Sequence, residues 1–239
     1  MVAKKKSEII SHILSPAIKF WVRSQLESIG ELDINIDAGD KQILTGKINQ
    51  VALEAKEAIY RGIHINQAEI CTENIAVNVG GILRGKPLKL LNPIYVVGEV
   101  NLTAQNLHNS VPSDLLQQAL KDLVKLILVN QGFENTDQIL TQYQIHWQKI
   151  VISDQKLAIY GSFLENDTQE QKELFITAHL FLKSNHELLL NPIEIQGIKE
   201  LNNIIINNFY LDLGEEVELE ELTINSHSLH CMGKIKVVS

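Results

Sequence analysis

The chain has 239 residues, of which 45% are hydrophobic and only 5% aromatic, so aliphatic side chains must form most of its core. A formal net charge of −8 argues against nucleic acid as an obligatory partner, because phosphate binding needs clustered positive charge. Two cysteines, Cys71 and Cys231, are too few for a disulfide scaffold, and no run approaches the ~20 apolar residues that cross a bilayer. No signal peptide is read at the N-terminus, so we expect a cytoplasmic protein, soluble or peripheral on the cytoplasmic face of a membrane.

Residues 1–30 are predicted to form an amphipathic helical segment. Apolar residues repeat there with helical spacing, Ser15-Pro16 is typical of a helix start, and Gly30 is typical of a helix end. Two interpretations remain: the helix packs on the rest of the domain, or it lies on a membrane surface with its lysines on anionic headgroups. In the second interpretation the membrane-contact residues are Lys4, Lys5, Lys6 and Trp21.

Between residues 31 and 103 the apolar period changes to two, which predicts an antiparallel meander with tight turns. Its last strand contains Leu-Leu-Asn-Pro-Ile-Tyr-Val-Val-Gly at residues 90–98. This stretch returns at residues 189–197 with six of nine positions identical. Because proline cannot donate to a strand ladder, we expect Pro93 and Pro192 at a strand edge, entry or bulge.

Residues 113–130 are predicted as the most apolar helix, with Ser113 as its N-cap. Its apolar side chains cover more than half of the circumference, so we expect cover on more than one side, as a curved sheet would provide. The elements predicted after it are a strand from Tyr143, a hairpin at Asp154-Gln155, a helix over residues 198–210 and a final hairpin over residues 217–238.

The order of these elements suggests two related halves, residues 31–130 and 142–238. The hairpins at residues 150–161 and 222–233 match at an offset of 72, whereas the Leu-Leu-Asn-Pro stretches lie 99 residues apart. Because the offsets differ, the halves align only with a gap, and the duplication stays an interpretation. The predicted fold class is α+β, with a single domain over residues 31–239 in which a long, strongly curved antiparallel sheet wraps around apolar helices.

Four stretches together resemble a known family: the Ser15-Pro16 helix, residues 60–65, residues 85–91 and the helix start at residues 113–116. Over most of residues 15–235 the chain is similar to the LmeA-like phospholipid-binding proteins, which have cyanobacterial, plastid and actinobacterial members. The resemblance implies a tubular lipid-binding-like fold and an apolar cavity for a phospholipid or another acyl lipid. Actinobacterial relatives act in the cell envelope behind export signals. Since none is read in this chain, we do not expect their envelope role here.

Patterns for catalysis or metal binding are weak. Gly161-Ser162-Phe163 lacks the second glycine of a nucleophile elbow and falls in a predicted strand. His227, His230 and Cys231 invite a metal interpretation, but residues 227 and 230 of a strand point to opposite faces, and no third ligand is indicated. Tyr60-Arg61 is either an exposed turn or a cation near a lipid phosphate at a cavity mouth. We therefore expect no enzyme activity, no metal and no cofactor.

The remaining signal is a surplus of aliphatic residues on long strands that face an apolar helix. The hypothesis is non-catalytic binding or transfer of a phospholipid or fatty-acyl ligand by a protein that docks peripherally on membranes. The alternative is a scaffold or protein-interaction module with a filled core and no ligand. The expected lipid-binding residues are Ile63, Ile65, Ile75, Val77, Val79, Val96, Leu102, Leu116, Leu120, Leu123 and Ile127.

Overall fold

The computed structural model describes residues 14–165, 170–202 and 204–237. Strands dominate these residues, because much of the chain alternates apolar and polar side chains. The strands are β1 (Ser28–Asp37), β2 (Lys47–Tyr60), β3 (Ile63–Ala76), β4 (Ile94–Thr103), β5 (Tyr143–Ser153), β6 (Lys156–Glu165), β7 (Gln171–Ser184), β8 (Glu187–Gln196), β9 (Ile204–Ile206), β10 (Phe209–Asp212), β11 (Val217–Ile224) and β12 (Ser228–Val237). The helices are α1 (Ser15–Ser24), α2 (Asp40–Leu44), α3 (Val79–Ile82), α4 (Ala104–Ser110), α5 (Asp114–Asn130) and α6 (Thr136–Thr141), and Lys199–Leu201 forms a 3-10 turn.

The first sheet has an apolar face and a polar face on opposite sides of the same strands. Its order is β1-β2-β3-β4-β12-β11, and all neighbouring strands are antiparallel. Residues directly opposite each other share a face, so Leu53 lies between Ile34 and Ile70 on one side. Glu54 lies next to Glu69 on the other side. We call the side with Leu53 the inner face and the side with Glu54 the outer face.

The second sheet has the order β10-β8-β7-β6-β5, and the short strand β9 pairs with a further part of β8. Strand β5 is an edge of this sheet, and α5 covers part of it. The side-chain amide of Gln117 donates to the Trp147 carbonyl at 3.2 Å, and its oxygen accepts from the Trp147 amide at 3.3 Å. The Gln117 side chain thus bonds the two backbone groups of Trp147 that a neighbouring strand would otherwise bond.

Two clusters of buried apolar side chains form the core. The larger covers one side of the second sheet and is closed by α5 through Leu120, Val124 and Ile127. The smaller lies on the inner face of the first sheet, against α1. The expectation that α5 is covered on more than one side is wrong, because Leu115 and Leu126 on its other side are 43% and 45% exposed.

The α+β class with antiparallel strands is confirmed, but the strands form two sheets. The helix predicted over residues 198–210 is wrong: the 3-10 turn is followed by β9 and β10, which both pair with β8. The N-terminal helix ends at Ser24, and Gly30 lies inside β1. Residues 1–13 lie outside the described residues, and with them Lys4, Lys5 and Lys6.

The two Leu-Leu-Asn-Pro stretches lie in different settings, so the interpretation as repeated halves is not confirmed. Pro93 is exposed and immediately precedes β4. Pro192 lies inside β8, between Leu190, which pairs with β10, and Ile193, which pairs with β9. These are the strand-entry and bulge-like positions that the lack of a proline amide favours.

The two hairpins that match in sequence at an offset of 72 also match in structure. In β5 and β6, Ile152 pairs with Leu157 and a register shift follows at Trp147, opposite Gly161. In β11 and β12 the pairs of Ile224 with Leu229 and of Leu219 with Gly233 follow the same register, with a shift at the same place. The sequence offset of 72 therefore reflects two hairpins with one bulge pattern.

Candidate functional site

An apolar groove of about 300 Å³ lies between α1 and the inner face of the first sheet. We call it the apolar groove. Its walls come from α1, from β2, β3 and β4, from the end of β12 and from the residues that precede β4. The lining residues are Ile18, Trp21, Val22, Gln25, Leu26, Ile48, Val51, Leu53, Tyr60, Ile70, Thr72, Ile75, Val77, Leu88, Leu90, Ile94, Val96 and Val237.

The sheet wall follows from the period of two in β2, β3 and β4. Val51 lies opposite Thr72, and Thr72 lies opposite Val96, so these three side chains share the inner face. The Thr72 hydroxyl donates to the Tyr95 carbonyl at 2.9 Å. Since its one polar hydrogen is bonded to backbone, Thr72 does not interrupt the apolar character of the wall.

The helix wall follows from the apolar spacing of α1. Pro16 stands in the first turn, where its missing amide removes no helical hydrogen bond. Ile18 is buried, whereas Trp21 and Val22 are only half-buried. Residues spaced by three and four share one helix face, so the three side chains form the cover of the apolar groove. Because two of them remain half-exposed, this cover is incomplete.

One end of the apolar groove is marked by Tyr60, at the end of β2. The Arg61 guanidinium lies over the Tyr60 ring, 5.5 Å from its centroid. Arg61 and Gly62 both have positive φ (48° and 75°), which makes the tight turn into β3. The Gly62 amide donates to Glu27 Oε1 at 2.9 Å, so this turn is joined to the segment that follows α1.

The other end lies at residues 83–93, which connect α3 to β4. Leu88 and Leu90 turn toward the sheet and line the apolar groove, and Leu90 forms a bridge with Val77. The Asn78 side chain ties this connection down: its amide donates to the Pro87 carbonyl at 3.0 Å, and its oxygen accepts from the Lys89 amide at 2.7 Å. The groove wall at this end is therefore a fixed loop.

The structure brings only part of the predicted lipid-binding set together. Ile75, Val77 and Val96 line the apolar groove, as does Trp21, which was predicted as a membrane contact. Val79 is buried in the same cluster. The predicted residues that lie outside the groove are Ile63 and Ile65, half-buried on β3; Leu102, buried on β4; and Leu116, Leu120, Leu123 and Ile127, which pack in the core of the second sheet.

Sequence reasoning missed the contribution of α1 and of the residues before β4. Ile18 and Val22 belong to the apolar helical spacing of residues 1–30, and Leu90 belongs to the repeated stretch. The signal was thus present, but periodicity shows which face is apolar without showing what that face covers.

A second concavity, of about 570 Å³, lies on the outer face and has a different character. Small side chains such as Ala52 and Cys71 line it together with the carboxylates of Asp33, Glu54 and Glu69. Within the described ranges, no group of three or more His, Cys, Asp or Glu side chains is placed to hold a metal ion. His227 lies next to Ser226 in a turn, with its Nδ1 at 2.9 Å from the serine hydroxyl.

Ser162 and Cys231 are placed as structural side chains. Ser162 is buried, and its hydroxyl accepts from the Gln148 amide at 3.0 Å and from the Gln171 amide at 3.1 Å. Burial raises the pKa of the Cys231 thiol, although a hydrogen bond with the backbone of Val100 opposes this shift. A thiol with a raised pKa is a poor nucleophile at neutral pH.

The fold and the groove define an α+β protein with an apolar groove between a short helix and an antiparallel sheet. The chain belongs to the LmeA-like phospholipid-binding family, whose model matches residues 6–234. No curated protein and no solved structure matches the chain. Membership supports lipid binding in general, and the name of the family implies binding rather than catalysis. Across the parts of the chain described here, no helix is long and apolar enough to span a membrane.

Proposed function

We propose that this protein binds a phospholipid without catalysis and holds an acyl chain in the apolar groove beneath α1. The observation that carries the proposal is the lining of the groove, in which nearly every side chain is apolar and the Thr72 hydroxyl is bonded to backbone. A volume of about 300 Å³ is at the lower end of the range for ligand sites. It suits part of one acyl chain, with the headgroup outside.

The expected energetics need no polar group inside the groove. Each buried methylene contributes about 0.8 kcal/mol, so eight of them would contribute about 6 kcal/mol before the loss of chain freedom is subtracted. The sheet wall is long enough for this, since residues 70–76 of β3 extend over about 20 Å. Affinity would therefore depend on chain length more than on headgroup.

Transfer between membranes is the finer part of the proposal. The α1 cover has only Ile18 buried among its groove-facing residues, whereas Trp21 and Val22 are half-exposed. A helix held by so few buried contacts is expected to move aside at low cost, which would let a lipid enter sideways from a membrane surface. Peripheral docking on a membrane is part of this proposal.

A cytoplasmic location also belongs to the proposal. Cys71 and Cys231 are both free thiols, and they lie on β3 and β12, with β4 between them. Unpaired cysteines fit a reducing compartment. Cell fractionation of the tagged full chain, with the membrane pellet washed in high salt, tests whether the protein is cytoplasmic and peripheral.

The direct test is to purify the full chain without detergent, to measure its intact mass under native conditions and to extract bound lipid for mass spectrometry. We expect a mass increment that corresponds to one phospholipid. An unliganded mass, together with no uptake of a fluorescent phospholipid, would overturn the proposal and favour the alternative, a protein-interaction module. A bound fatty acid without a headgroup would leave the groove assignment intact but contradict the phospholipid.

A further inference from the structure

The connection between α3 and β4 differs in charge from the rest of the molecule. Residues 83–93, which we call the basic loop, carry Arg84, Lys86 and Lys89, and no acidic residue occurs between Glu73 and Glu99. The whole chain has a net charge of −8. The basic loop is therefore locally positive in a chain whose net charge is negative.

The cations are available to a partner. All three side chains are exposed. The ion pairs among the described residues involve Lys56 and Lys125 instead. The basic loop thus presents three free positive charges to solvent at one end of the first sheet.

Large apolar side chains accompany these charges. Leu83 is 54% exposed and Leu91 is 58% exposed, at the two ends of the basic loop. Leu44, at the end of α2, is 63% exposed, and α2 packs against α3. Exposed leucines mixed with cations are typical of surfaces that enter the interface of an anionic bilayer.

The loop is held in a defined conformation. Besides the two hydrogen bonds of the Asn78 side chain, the Lys86 amide donates to the Gly81 carbonyl at 2.9 Å, and the Leu91 amide donates to the Ala76 carbonyl at 2.8 Å. A fixed loop presents its cations and leucines together, with less entropy lost on binding than a flexible loop would lose.

The basic loop is continuous with the apolar groove, because Leu88 and Leu90 line the groove while Leu91 points outward. We propose that the basic loop, with Leu44, is the surface that docks on an anionic phospholipid bilayer and sets the apolar groove against the headgroup region. This inference rests on the proposed function, and it names the surface through which lipid reaches the groove. The acidic outer face, with Glu54 and Glu69, is repelled by the same bilayer, which orients the molecule.

The probe is the full chain with vesicles of equal parts phosphatidylcholine and phosphatidylglycerol, measured by flotation against pure phosphatidylcholine vesicles. Each cation near an anionic surface contributes about fivefold to binding, so we expect the variant R84Q/K86Q/K89Q to bind about 100-fold more weakly. The variant L83S/L91S keeps the charge and should also lose binding, because it removes the apolar insertion.

The matched control is K121Q/K183Q/K199Q, which removes three exposed lysines elsewhere and should bind as the unchanged chain does. Thermal unfolding of each variant shows that the fold is retained. Phe20 on α1 is 74% exposed and offers a competing apolar contact with a membrane. The proposal is overturned if the unchanged chain does not bind anionic vesicles, if the loop and control variants lose binding equally, or if F20S abolishes binding while the loop variants do not.

Native mass spectrometry separates this inference from the proposed function. If docking is correct, the loop variants still carry phospholipid that was loaded from detergent, because the groove itself is unchanged. If the unchanged chain carries phospholipid but does not bind anionic vesicles, docking alone is overturned. Vesicle binding by a chain that never carries lipid overturns the proposed function and leaves the docking surface standing.

Discussion

Glu69 on β3 lies directly opposite Glu99 on β4, and on its other side it lies directly opposite Glu54 on β2. Asp33 on β1 continues the row, so four carboxylates cross the outer face on four neighbouring strands. Lys56 reaches Glu54 at 3.5 Å, but Glu69 receives only an amide hydrogen from Gln67 at 2.9 Å. Like charges opposite each other destabilise a sheet, so this row opposes folding.

We therefore expect Glu69→Gln to raise the free energy of unfolding by about 0.5 kcal/mol, because it removes repulsion from both neighbours while the amide oxygen still accepts from Gln67. Denaturant unfolding at low ionic strength measures the gain, and added salt should reduce it. Glu194→Gln is the matched control, since Glu194 on β8 pairs with Thr177 and Ile205. Equal effects at both positions would contradict the repulsion.

Val96 and Val97 allow a test of the groove with two neighbouring residues of one type. Val96 lines the apolar groove, whereas Val97 is 44% exposed on the outer face. Val96→Trp should fill space that about two methylenes would occupy and weaken phospholipid binding about tenfold. Val97→Trp should leave binding unchanged. Fluorescent-phospholipid titration gives both values, and equal affinities in the two variants would place the lipid elsewhere.

The hairpins were the most predictable part of the fold. Ile152 with Leu157, and Ile224 with Leu229, could be paired from alternation and turn residues alone, because a hairpin partner is close in sequence. The pairing of β4 with β12 could not, since nothing in the local pattern specifies a partner that lies so far along the chain. The division into two sheets follows from such long-range pairings.

The groove was predictable only in part, for a related reason. Ile75 and Val96 were expected to contact lipid and do line the groove, but Leu120 and Ile127 of α5 pack against the second sheet. The prediction of an apolar face on α5 is correct, but this face packs against the second sheet and does not line the groove. The short apolar run at Ile204–Ile206 shows the same ambiguity, because it fits a helix or a strand until β8 is known to lie beside it.

The half-buried thiol of Cys231 gives a pH dependence with a defined sign. In the unfolded chain a thiol ionises near its ordinary pKa of about 8.5, whereas burial raises the pKa of Cys231 in the folded state. The folded state therefore holds its proton longer, and stability falls as pH rises above about 8.5. Cys231→Ala should flatten this fall in denaturant unfolding, and a variant that keeps the full fall would contradict the assignment to Cys231.

Alkylation of the same thiol offers an independent measurement. Because the thiolate is the reactive form, iodoacetamide should modify native Cys231 slowly at neutral pH and quickly after unfolding. Peptide mass spectrometry locates the label on Cys71 or Cys231. Fast native labelling of Cys231 would contradict its partly buried position on the inner face, between Val100 and Leu222.

Gln117 should matter to stability more than any other amide on α5. Its side chain bonds the carbonyls of Val111 and Trp147 and the amide of Trp147, at 2.7, 3.2 and 3.3 Å. Gln117→Ala leaves these backbone groups without their partner beside a Trp147 side chain that is only 2% exposed, so we expect a loss of about 2 kcal/mol. Gln118→Ala, which removes only an exposed bond to Asp122, should change stability little.

Since α5 closes the second core and not the apolar groove, lipid affinity measured well below the unfolding midpoint should be the same in both variants. If Gln117→Ala keeps the stability of the unchanged chain, the edge of β5 does not need the hydrogen bonds of the Gln117 side chain.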